Sequence, residues 1–127
     1  MEVDRGEIAL RKLERDVMKI TNSKKKFAQK LEMIAEELKD SMIPFDRKGE
    51  DHVLGEMRIF AGQAAETAAS DETEAIICSS NTYDQKNKML DDIVDAVDSN
   101  KWIAEGFRTA VRMDVIFRKA EMRSTHK

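Results

Sequence analysis

A chain of 127 residues is long enough for one domain with its own core, and 41% hydrophobic against 37% charged residues suits elongated helices better than a compact enzyme. One proline and five glycines argue against disorder and against a turn-rich β-sandwich, and a lone cysteine excludes an internal disulfide and a CxxC motif. The net charge of −3 is unevenly spread: residues 1–48 carry 12 basic and 10 acidic side chains, 49–100 carry 3 and 12, and 101–127 carry 7 and 3. An acidic middle folding back on two basic ends explains this; a basic surface for an anionic partner is the sharper alternative.

The first segment carries the strongest pattern. With Leu10 at heptad position a, Leu10, Val17, Lys24, Leu31 and Leu38 alternate with Leu13, Ile20, Phe27, Ile34 and Ser41 at d. Eight of these ten positions are apolar, which predicts one long helix over 7–42, closed by Pro44. Thr21-Asn22-Ser23 is its one soft place, since short polar side chains compete for backbone hydrogen bonds. The unbroken phase favours continuity through it.

"PFDRKGE" reads as a connector, followed by a second helix over 51–78 that is rich in small residues: Gly55, Ala61, Gly62, Ala64, Ala65, Ala68 and Ala69. Small side chains permit close approach, so this helix is expected to pack inside against the first. Ser79-Ser80-Asn81-Thr82 predicts a break. Leu90, Ile93, Val94 and Val97 then mark a helix over 84–98, and Ile103, Phe107, Ala110, Val111 and Phe117 mark another over 100–123. No stretch alternates with period two, and neither a repeat nor a splitting linker is visible. The expected fold is all-α, a single domain over 1–127: a long, coiled-coil-like N-terminal helix in an antiparallel bundle of three to four helices.

Four features could carry function. The first is the seam itself: Leu10, Leu13, Val17, Ile20, Lys24, Phe27, Leu31, Ile34 and Leu38 form an expected partner-binding face, in a homodimer or against another protein's helix. Lys24 would fix register there, as a polar residue at position a does. The second is Lys24-Lys25-Lys26, a mid-helix basic cluster able to meet lipid headgroups. The layout of "LRKLERDVMKITNSKKKFAQKLEMIAEEL" followed by "GEDHVLGEM" resembles the first two helices of BAR domains, over some 50 residues. That resemblance implies a crescent dimer with Lys24, Lys25 and Lys26 facing an anionic membrane, in a domain shorter than that family's own.

The third is Asp91-Asp92-Ile93-Val94-Asp95. This string resembles the aspartate-rich motif of isoprenoid diphosphate enzymes, which implies a Mg²⁺–diphosphate grip by Asp91, Asp92 and Asp95. Solvated carboxylates opposite an apolar face account for the same pattern. The fourth joins Glu36-Glu37-Leu38-Lys39-Asp40 to Asp92 and Asp95, and loosely resembles the EExxE and ExxD motifs of all-helical nucleotide pyrophosphohydrolases. It would imply Mg²⁺-dependent hydrolysis, although Asp40 and Asp92 stand where that family has glutamates and the two motifs are much further apart than in that family. His52 lacks an identifiable catalytic partner, and Cys78, after Ile76-Ile77, reads as a buried structural thiol.

The favoured expectation is a non-catalytic helical interaction or assembly module, without cofactor. Nucleic-acid binding is disfavoured by the acidic balance, 6% aromatics and the lack of a reader motif. The lone cysteine and a polar start without a signal-peptide core point to an intracellular setting, cytoplasmic or at a membrane surface.

Overall fold

The computed structural model describes residues 4–47 and 49–126 and is all-helical, with no strand among the described residues. It contains α1 (Arg5–Thr21), α2 (Phe27–Asp46), α3 (Asp51–Ile77), α4 (Tyr83–Ser99) and α5 (Glu105–Thr125). The Asp4 carboxylate caps α1 by accepting from the Glu7 N–H at 3.1 Å.

The long first helix expected from the heptads is two helices. α1 stops at Thr21, and the soft place supplies the reason. The Thr21 hydroxyl donates to the Val17 carbonyl at 2.8 Å and the Ser23 hydroxyl to the Ile20 carbonyl at 2.7 Å. The Lys30 ammonium then caps the Thr21 carbonyl at 2.8 Å. The Ile20 and Thr21 carbonyls at the helix end are thereby satisfied from outside the helix. Pro44 does not end the second piece either. It lies inside α2, whose last residue is Asp46, so its missing N–H removes a hydrogen bond only from the final turn. Farther on, Asn100–Ala104 form a turn, and the last helix begins at Glu105 rather than near 100.

α3 is the hub and packs against all four other helices. Its N-terminal half (Leu54, Met57, Ala61, Ala64) closes one apolar cluster with Leu10, Leu13, Val17 and Ile20 of α1 and Ile34, Leu38 and Phe45 of α2. Its C-terminal half (Ala65, Ala68, Ala69, Ile76) closes another with Phe27 and Leu31 of α2, Leu90, Ile93 and Val97 of α4, and Val111, Val115 and Met122 of α5. Small residues make this double burial feasible. Gly62 faces the Phe107 ring so closely that a β-carbon there would lie within 2.5 Å of it. Trp102, in the α4–α5 turn, touches both clusters, and its indole N–H donates to the Asn100 side chain at 3.0 Å.

One local structure occurs twice. The α1–α2 and α3–α4 turns share the same hydrogen bonds at positions 56 residues apart. Ser79 donates to the Ile76 carbonyl at 2.6 Å as Ser23 does to that of Ile20. Lys86 caps the Ile77 carbonyl at 2.7 Å as Lys30 caps that of Thr21. The Gln85 side chain accepts from the Thr82 N–H at 2.9 Å, and that of Gln29 from the Lys26 N–H at 3.4 Å. The recurrence is faint in the sequence because few residues repeat at this spacing around the turns: Ile20/Ile76, Ser23/Ser79, Gln29/Gln85 and Lys30/Lys86.

Candidate interaction surfaces

Leu10, Leu13, Val17, Ile20, Phe27, Leu31, Ile34 and Leu38 are all buried. The seam expected to meet a partner is occupied by the chain's own α3, α4 and α5. Lys24 is not on a helix at all: it sits exposed in the α1–α2 turn beside Lys25 and Lys26, also exposed. A register role for Lys24 therefore has no facing helix within the chain. We expect Lys24→Leu to move stability by no more than about 0.5 kcal/mol, as for surface positions outside packed contacts; a rise in melting temperature of several degrees would contradict this.

The acidic strings are distributed among separate places. Asp91 pairs with Lys119 of α5, and Asp92 pairs with Lys88 at 2.7 Å. Glu36 and Glu37 line a groove between α1 and α2 with Asp16, Glu32 and Lys19, whereas Asp92 lines a different depression with Phe27, Ala28 and Met89. In the first groove Asp16 is held by Lys12 at 2.9 Å, and that hydrogen bond raises the lysine's pKa. Among the described residues no three His, Cys, Asp or Glu side chains are grouped as metal ligands. The motifs that suggested Mg²⁺ are not brought together.

His52 is exposed and bonded to Glu56 at 3.1 Å. Cys78 is exposed, not buried, because it falls on the C-cap of α3 just after the last core position, Ile76. Its thiol donates to the Glu74 carboxylate at 3.3 Å. That bond, together with the carboxylate's charge, pushes the thiol pKa up, and the bonds from Arg118 and Cys78 hold Glu74 below the usual carboxylate range. Since the thiolate is the nucleophile, Glu74→Gln is expected to speed alkylation of Cys78 at pH 8 several-fold. An unchanged or slower rate would show that Glu74 does not control the thiol.

The surface that the heptads do not reveal is on α5. At 100° per residue, Val111, Val115 and Met122 point into the core, while Gly106, Thr109, Met113, Ile116, Phe117 and Ala120 share the opposite, exposed side. Met113 is 45%, Ile116 51% and Phe117 61% exposed, and no charged side chain interrupts the stripe. The helix is thus apolar on two faces. Sequence reading groups Phe117 with Val111 and Phe107; the structure buries Val111, half-buries Phe107 and leaves Phe117 in water. The legible signal is Met113-Ile116-Phe117-Ala120, a second apolar stripe out of phase with the first.

Two basic side chains beside one edge of the stripe, Arg112 and Lys119, already have intrachain partners. Arg112 bonds Asp98 at 3.0 Å, and Lys119 bonds Asp91. With Tyr83 stacked on His126 at 4.0 Å between ring centroids, these contacts fix α5 along α4 in the opposite direction. A smaller groove lies at the other cluster, where Leu38, Met42, Ile43 and Trp102 form an apolar floor and Lys39, Asp46 and Arg58 a charged rim.

The chain matches no protein-family model, no curated protein and no solved structure in the comparisons made. No helix among the described residues is long and apolar enough to cross a membrane.

Proposed function

We propose that the protein is a non-catalytic helical interaction module that engages a partner through the outward face of α5. The carrying observation is the Met113–Ile116–Phe117 stripe, large apolar side chains standing about half exposed on a rigid helix whose other side is locked in the core. Burying such side chains is worth about 1.5–3 kcal/mol each, so a complementary surface gains substantially by covering them. The face is also pre-organised: α5 is held by α3 and α4, so docking need not order it.

A photo-crosslinking residue at position 117, in the cells that express the protein, tests this. Covalent adducts to protein are expected there and not from a control at exposed Arg15; the absence of any adduct at 117 would overturn the reading. Phe117→Asp should abolish the partner contact while leaving the melting temperature within about 2 °C, because exposed positions contribute little to folding. A large loss of stability would instead make Phe117 part of the fold.

A second reading has its own observation, the exposed triplet Lys24-Lys25-Lys26 at one turn. Such a cluster supports contact with an anionic bilayer surface. Pelleting with phosphatidylserine vesicles in low salt, lost at 0.5 M salt and in the variant with all three lysines changed to glutamate, is the expected result. No pelleting in low salt would dispose of it.

A further inference from the structure

We infer that the occupant of the α5 face is a second copy of the same face, the two α5 helices lying side by side and running in opposite directions. This rests on the interaction reading above and specifies its partner. A closed two-fold interface requires a patch complementary to itself. The α5 stripe meets that condition along its centre line, where residue sizes mirror about Val115, while Ile116 and Thr109 at its edge mirror onto Asp114 and Glu121. Met113 and Phe117 stand two places either side, Ala110 and Ala120 five, and Gly106 and Ser124 nine.

Laid head to tail about that centre, Met113 meets the partner's Phe117 and Ala110 meets the partner's Ala120. Small residues at both ends let the helix axes approach to about 8–10 Å, while the large ones fill the middle. A thioether against an aromatic ring is a favourable central contact.

Charge selects the direction. Glu105 and Arg123 lie 18 residues apart, which is five full turns, so they occupy the same edge of the stripe at opposite ends. Both are exposed, and neither forms an ion pair among the described residues. In the opposed arrangement each Glu105 comes within about 3 Å, along the axis, of the partner's Arg123, giving one pair at each end. In a parallel two-fold arrangement this edge of one helix and the same edge of its copy fall on opposite sides of the interface, so Glu105 and Arg123 could not pair. Opposed helix dipoles act in the same sense.

Sedimentation equilibrium of the purified full chain from 5 to 500 µM tests the inference. The mass should rise from 14.5 kDa towards twice that value with concentration. Arg123→Glu should weaken association about ten-fold, since it replaces attraction by repulsion at both ends. Glu105→Arg combined with Arg123→Glu should restore association to within about three-fold of the original, because the pairs re-form with reversed sign. Phe117→Asp should leave a monomer with unchanged melting. A monomer at 500 µM overturns self-pairing, as does a dimer indifferent to Arg123→Glu and Phe117→Asp. The interaction reading fails separately, on the absence of adducts at position 117; adducts to a different protein from a chain that stays monomeric would retain that reading and reject this one.

Discussion

Truncating Ile34 to alanine is expected to cost about 2–5 kcal/mol, a large share of the 5–15 kcal/mol that holds a domain together. Ile34 is 0% exposed and belongs to the cluster that joins α1, α2 and the first half of α3. Leu13 and Met57 in the same cluster are equally sealed from solvent, so the vacated space lies among three helices that cannot close on it without moving as bodies. This places the expected loss towards the upper part of the range. Equilibrium urea unfolding is the measurement, with the midpoint falling while the slope stays constant. Ile34→Val should cost only about 0.5–1.5 kcal/mol. A loss below 1 kcal/mol for the alanine variant would mean that this cluster is not close-packed.

The second large effect runs against helix propensity. Replacing a helical glycine by alanine ordinarily gains about 1 kcal/mol. At Gly62 the added carbon would lie within 2.5 Å of Phe107 Cε2 and 3.1 Å from Cγ, and these are ring atoms, not the end of a flexible chain. The ring, in the first turn of α5, must move or push α5 away from α3. Overpacking of this kind costs about 1–3 kcal/mol, so Gly62→Ala should be destabilising on balance. The check is a double-mutant cycle: in the presence of Phe107→Leu, whose narrower side chain can yield, the same glycine change should be neutral or stabilising. A rise in stability from Gly62→Ala alone would show that α3 and α5 are less tightly apposed.

Much of the fold was legible because burial obeys helical period. Every apolar seam position from Leu10 to Leu38 is in the core, and the Ala/Gly-rich stretch is the inner helix. The break at Asn22–Lys26 escaped because Ile20 and Phe27 remain one heptad apart on either side of it, so the apolar phase is indifferent to whether the intervening residues are helical. The competing hydrogen bonds of Thr21 and Ser23 were foreseeable; their outcome depended on Lys30, nine residues beyond Thr21, reaching back to close the helix end. The α5 surface was illegible for a different reason. A helix with two apolar stripes does not say which one is inside until neighbouring helices choose, and α3 and α4 took the Val111–Val115–Met122 side.

The duplicated turn supplies an internal control for the basic cluster. The two copies keep their serine, glutamine and lysine but differ in between: Lys24-Lys25-Lys26 in one stand where the other has Ser80-Asn81-Thr82. The same serine, glutamine and lysine hydrogen bonds are therefore built by this same chain without any positive charge at those places. Whatever the three lysines do, the backbone does not demand them, and the uncharged tripeptide is a ready-made replacement for removing that charge while the scaffold stays intact.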